Sequence, residues 1–190
     1  SLAVDVDGNV ILGFNQEFNI NIDPDTSISR PTNMLYKKNI FIIKFSANGT
    51  LSFIKQYGSN LTSGSSTSDQ DYIYGLATDA AKNIVITGRY GQALDFGTQT
   101  IQPTISGKSN FYLAKFNSLG NYEWSKQIDS TGDGSSGNSI KCFGSTIIVG
   151  GTHDKQIKIG NTTLIRLGNN DAFIAQYNGD GSFISAAGCH

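Results

Sequence analysis

Apolar residues in this chain come in short runs, and the runs recur in one order three times. Asn39-Ile40-Phe41-Ile42-Ile43-Lys44-Phe45 leads to Gly49 and then to Phe53-Ile54-Lys55-Gln56. Asn110-Phe111-Tyr112-Leu113-Ala114-Lys115-Phe116, Gly120 and Trp124-Ser125-Lys126-Gln127 repeat it. Asp171-Ala172-Phe173-Ile174-Ala175-Gln176-Tyr177, Gly181 and Ser185-Ala186-Ala187 give it again. The front halves recur as well. Leu2-Ala3-Val4-Asp5 with Asn9-Val10-Ile11-Leu12 is matched by Leu76-Ala77-Thr78-Asp79 with Asn83-Ile84-Val85-Ile86, then by Ser139-Ile140-Lys141 with Ser145-Thr146-Ile147-Ile148-Val149-Gly150. Internal repetition of this kind marks a chain built from stacked copies of one supersecondary unit.

Within each unit, about four runs rich in β-branched and aromatic residues are separated by Asp-Gly, Asn-Gly or Ser-Gly, the signature of strands joined by tight hairpins. Asp7-Gly8, Asn48-Gly49, Gly120-Asn121 and Asp180-Gly181 stand where a positive φ is required. Phe41-Ile42-Ile43 and Ile147-Ile148-Val149 are apolar on consecutive positions, which predicts strands buried on both faces, as when small sheets stack. No segment carries a helical period. The expected organisation is one repeat module: unit one 1–58, linker 59–74, unit two 75–128, linker 129–137 and unit three 138–190. Polar connectors at 59–68 and 130–137, and an insertion at 16–38, read as the loops where binding lives.

The second unit resembles the repeat of the seven-bladed β-propeller (SBBP) family. The residues that carry the likeness are Gly75-Leu76-Ala77-Thr78-Asp79, Asn83-Ile84-Val85-Ile86-Thr87-Gly88, Asp95-Phe96-Gly97, Phe111-Tyr112-Leu113-Ala114-Lys115-Phe116 and Gly120-Asn121-Tyr122-Glu123-Trp124-Ser125-Lys126-Gln127. The other units depart from it. Gly13-Phe14 replaces Thr-Gly in the first, and Lys141-Cys142-Phe143-Gly144-Ser145 replaces the Asp-x-x-Gly-Asn turn in the third. The resemblance implies an all-β fold of three propeller-type blades, each of about four antiparallel strands, with no shared catalytic residues. It also implies a secreted, cell-surface or virus-particle setting. Three blades do not close a propeller, which takes about 4 to 8. The expected completion is a protein partner or a second copy making a six-bladed ring; further blades, or an open array capped by partners, are the alternatives.

Composition adds exclusions. With 14 Lys and Arg against 15 Asp and Glu, the net charge of −1 gives no field for nucleic acid. No apolar run reaches the roughly 20 residues of a spanning helix, so membrane insertion is not expected. Cys142 and Cys189, the two cysteines, both fall in the third unit, where one bridge or two thiols are the alternatives.

Candidate chemistry is sparse. His153 and His190 are the two histidines, and neither has a sequence partner that makes it a positioned base, so no catalytic residue and no enzyme activity are expected. No cofactor is expected. Calcium is the ion with a candidate site, because Asp5, Asp7 and Asn9 put oxygen ligands on alternate positions, although a hairpin turn explains them without an ion. For a glycan, the aromatic candidates are Trp124, Tyr90, Tyr122 and Tyr36. Trp124 shares the repeat position of Phe53 and reads as core, whereas Tyr90, on an unmatched loop, is the ligand-binding candidate. The function expected is a non-enzymatic structural or binding module displaying loops on a rigid scaffold. A lectin with sites between blades and a fragment of a propeller hydrolase are the rivals. Asn48, Asn60 and Asn161 head glycosylation sequons.

Overall fold

The β-branched and aromatic runs are strands, and their hairpins close where glycine, or Lys82 in one turn, takes a positive φ. A computed structural model describes residues 1–16, 39–58, 71–103, 105, 108–130 and 134–189. The insertion at 17–38, the connector at 59–68, Tyr36, Asn60 and His190 lie outside the described residues. No described residue is helical.

The first sheet is an antiparallel meander of β1 (Leu2–Val4), β2 (Val10–Gln16), β3 (Asn39–Phe45) and β4 (Leu51–Tyr57). In the second, β5 (Tyr72–Thr78) and β6 (Ile84–Tyr90) lead to a small hairpin of β7 (Leu94–Asp95) and β8 (Thr100–Ile101), before β9 (Asn110–Phe116) and β10 (Tyr122–Gln127) complete the order β5-β6-β9-β10. After β11 (Asp129–Ser130), the third sheet takes β12 (Ser136–Phe143) and β13 (Thr146–His153). A hairpin of β14 (Ile157–Ile159) and β15 (Thr162–Leu164), which also pairs with β11, precedes β16 (Asp171–Asn178) and β17 (Phe183–Cys189). The fold is therefore all-β, built of several small antiparallel sheets, none of which closes on itself. β5 opens at Tyr72 and β12 at Ser136, within the stretches expected as linkers.

The sheets stack in chain order. β5 lies against β1, β2 and β3, and β12 lies against β5, β6 and β9. Strand alternation then assigns each residue to a forward face, toward the next sheet, or a rear face, toward the one before. Ile11, Ile40 and Ile42 of the first sheet meet Ile84, Ile86, Tyr112, Ala114 and Phe116 of the second in one core. Val85, Phe111 and Leu113, on the other face of the second sheet, meet Ile147, Val149, Phe173, Ala175 and Tyr177 of the third. β9 is consequently buried along its whole length, as the consecutive apolar residues require.

Two expectations are corrected by the third sheet. Ile147-Ile148-Val149 is not buried on both faces: β13 alternates, with Ile148 half-buried, because no described element covers the forward face there. The sequence match also slips by one. Ile84 pairs with Phe116 and Ile147 with Tyr177, so Ile147, not Thr146, is the counterpart of Ile84. The cause is the turn. Thr78 and Ile84 enclose five residues, whereas Cys142 and Ile147 enclose four, and one residue changes the face of a strand position.

Cys142 and Cys189 are free thiols. They sit on opposite edge strands of a four-stranded sheet. Three strand spacings of about 4.8 Å separate them, twice the reach of a disulfide.

Candidate functional site

A lone lysine inside each of two apolar strands is the first clue to where polar chemistry collects. Lys44 on β3 and Lys115 on β9 are both buried and both face forward. Lys44 pairs with Asp5 at 3.0 Å and donates to the Ser118 carbonyl, in the β9–β10 turn of the next sheet, at 3.2 Å. Lys115 pairs with Asp79 at 3.0 Å and donates to the Gly179 carbonyl, in the β16–β17 turn of the next sheet, at 2.9 Å. One arrangement is thus made twice: an aspartate, a lysine and a turn carbonyl of the following sheet. Opposite each lysine stands an aromatic residue, Phe53 or Trp124, lying over the turn glycine of the following sheet, Gly120 or Gly181. The Trp124 indole N–H also donates to the Gly179 carbonyl at 3.1 Å. Trp124 is half-buried in this joint, packed against the core of the second and third sheets. A buried ion pair gains little net stability, since desolvation offsets the attraction, but it specifies which surfaces meet.

The aspartates are equally engaged in their own turns. Asp5 Oδ1 accepts from the backbone N–H groups of Asp7 and Asn9, and the Asn9 amide reaches both oxygens. Burial alone would raise the Asp5 carboxyl. The Asn9 and Lys44 hydrogen bonds outweigh it and hold the carboxyl at about 2. Asp79 repeats the pattern with Ala81, Asn83 and Lys115, and it too lies below the usual range, burial again being outweighed by these donors.

The calcium candidates Asp5, Asp7 and Asn9 are brought together in one turn, and Asp7 and Asn9 border a cleft of about 210 Å³. Asp7 is taken by Lys82 of the second unit at 2.9 Å, and Lys44 holds Asp5, so two ammonium groups occupy the surroundings a dication would need. No group of three or more His, Cys, Asp or Glu side chains able to hold a metal ion occurs among the described residues.

Tyr90, expected on a loop and available to ligand, ends strand β6 and is 0% exposed. The hairpin that follows it brings Leu94, Phe96 and Ile101 into the same core, and the Tyr90 hydroxyl donates to the Gln102 carbonyl. His153 is likewise not a solvated loop residue. It closes β13, fully buried, with Nδ1 bonded to the Lys155 carbonyl and its ring beside Phe173.

The candidate site lies between the second and third sheets, at residues the sequence did not single out. Lys126, Gln127, Ile128, Lys158, Tyr177, Ser182 and Phe183 line a cleft of about 390 Å³. Its origin is visible in the equivalent joint between the first and second sheets. There Tyr57 follows Gln56 just as Ile128 follows Gln127, and the Tyr57 ring packs 4.7 Å from Phe116 while its hydroxyl donates to the Gly120 carbonyl at 2.7 Å. Ile128 is shorter and leaves that seat open. Tyr177, the counterpart of Phe116, borders the opening with a buried hydroxyl that has no hydrogen-bond partner among the described residues. Burial pushes its phenol well up, so the group stays a neutral donor. A buried, unmatched hydroxyl costs about 1–3 kcal/mol, and such groups call for a bound water or ligand. The sequence held the signal only as the exchanges Tyr57 to Ile128 and Phe116 to Tyr177 within the repeat. No family model and no curated protein matches this chain.

Proposed function

We propose that the chain is a non-enzymatic structural and binding module, a propeller-type stack of blades belonging to a secreted, cell-surface or virus-particle protein. The observation that carries this reading is the open seat beside Tyr177, a donor-bearing cleft framed by two stacked sheets. The buried ionisable groups support the absence of catalysis. Asp5 with Lys44 and Asp79 with Lys115 neutralise one another across the joints, so these four groups are spent on structure rather than poised for proton transfer.

A glycan is the ligand class best suited to the cleft. The Phe183 ring offers an apolar wall, Tyr177 and Ser182 offer hydroxyls, and Lys126 and Lys158 favour a sugar bearing an acidic group. Because Tyr57 fills the corresponding seat in the first joint, this reading has one site per chain rather than a recurring lectin array. Glycan-array binding by the wild-type chain and by Ile128→Tyr tests it. The substitution should refill the seat as Tyr57 does, lowering binding at least tenfold while leaving the melting temperature unchanged or higher. Undiminished binding by Ile128→Tyr would move the site elsewhere. Glycoside turnover by the wild-type chain would overturn the non-enzymatic reading.

A further inference from the structure

One position reverses its charge between two joints that otherwise match. At the first joint Gly58, the residue after Tyr57, pairs with Asp95 of the β7–β8 hairpin by backbone hydrogen bonds of 3.1 and 3.2 Å. At the second joint Asp129, the residue after Ile128, pairs with Lys158 of the β14–β15 hairpin. The hairpins agree in register as well, since Asp95 lies opposite Thr100 and Lys158 opposite Thr163. Buried apolar residues flank the position in both, Leu94 and Phe96 in one, Ile157 and Ile159 in the other. Lys158 therefore stands where the preceding joint has an aspartate, and the hairpin forms with either sign.

The other lysine of the cleft does not vary. Lys55 lies opposite Ile42 and Lys126 opposite Leu113. Both lay their stems along the turn glycine of the following sheet: a Cβ at Gly120 would be 3.1 Å from Lys55 Cγ, and one at Gly181 2.8 Å from Lys126 Cε. The Lys126 ammonium is 5.9 Å from the centre of the Trp124 ring and interacts with Asp180, whose carboxylate accepts from the Ser182 N–H and hydroxyl. Lys126 is thus engaged in the joint itself, with its stem buried and its head toward water. Lys158 is exposed, lines the cleft and has no counterpart of its own sign in the first joint.

Three exchanges coincide at this one place. Tyr57 to Ile128 opens the seat, Phe116 to Tyr177 adds a buried donor, and Asp95 to Lys158 replaces a carboxylate with an ammonium. We infer that Lys158 sets the specificity of the cleft, selecting an acidic sugar whose carboxylate or sulfate it holds while a ring oxygen accepts from the Tyr177 hydroxyl. An ammonium serves either anion, because it acts as a point charge with freely turning donors. The inference rests on the glycan reading of the cleft and adds the residue that reads the charge.

The test is an array of uronate, sialylated and sulfated oligosaccharides, each beside its methyl-esterified or desulfated form. The wild-type chain should bind an acidic member at least tenfold more tightly than its uncharged form, and less tightly as salt rises. Lys158→Asp, which supplies the residue of the first joint, should lose at least tenfold on that member and nothing on the uncharged form, with the melting temperature unchanged. Lys158→Gln should lose most of the preference and Lys158→Arg should keep it. Asp129→Asn, at the backbone partner of Lys158, should keep or strengthen it. A preference confined to carboxylated or to sulfated members supports the proposal and fixes the anion. Equal binding of charged and uncharged forms, or an acid preference that survives Lys158→Asp, overturns this inference and leaves the glycan reading standing. So does a loss under Asp129→Asn as large as that under Lys158→Asp. If no glycan binds, both fall.

Discussion

A carboxylate that is hydrogen-bonded and ion-paired when folded ties stability to acid. Asp5 in the folded chain holds its proton only below about 2, and Asp79 is depressed in the same direction. An unfolded aspartate has a pKa of about 3.9, so on acidification the unfolded chain takes up protons first. The stabilisation is complete above about pH 4 and drains away as pH falls toward 2. The melting temperature should therefore fall steeply between pH 4 and 2, and less steeply in Asp79→Asn, whose amide oxygen still accepts the turn N–H groups. A melting temperature that stays flat across that window would mean the aspartate–lysine joints are open in solution. These joints were half-legible in the sequence. Lys44 and Lys115 recur inside otherwise apolar runs, and Asp5 and Asp79 recur before a turn. Nothing in the repeat says that the lysine's third partner is a carbonyl of the following unit, because that contact crosses a sheet boundary. Lys82 is a related case. It is the described non-glycine residue with positive φ, at the position of Gly8, and its ammonium reaches Asp7 of the first unit.

At the scale of elements, strand identity was written in the residues but strand facing was not. β-branched runs and turn glycines locate the strands, since both act locally. The facing of β13 depends on a single residue dropped from the turn before it, and residue-by-residue matching of the repeat cannot see which side of the turn lost it. Tyr90 is buried rather than on a loop for the same kind of reason: the sequence marks it as unmatched, and only the following hairpin, folding Leu94 and Phe96 into the core, buries it. Bulges supply the other hidden constraint. β5 is irregular between Ile73 and Gly75, and β12 between Gly137 and Ser139. Each brings backbone against a glycine of the neighbouring strand: a Cβ at Gly88 would fall 1.9 Å from the Tyr72 carbonyl oxygen, and one at Gly151 2.1 Å from that of Ser136. Backbone cannot rotate away as a side chain can. Gly88→Ala should cost about 3 kcal/mol in denaturant unfolding, toward the upper end for overpacking. A loss under about 0.5 kcal/mol, typical of surface changes, would show that the bulge relaxes freely.

For the whole molecule, position in the stack decides how firmly each sheet is held. The second sheet has a neighbour on both faces, and β9 is buried along its length. The third sheet is held on one face. Stability in such stacks is close to a sum of each unit and its nearest-neighbour joints, so loss of one flank need not bring down the rest. Native-state hydrogen exchange should resolve this as a hierarchy, with β17 opening at the lowest free energy and β6 and β9 opening last. A single exchange free energy for all sheets would mean that the joints make one cooperative body. The buried central strand thereby acquires a kinetic role: it is the part of the chain that survives partial unfolding and the template on which either flank reassembles.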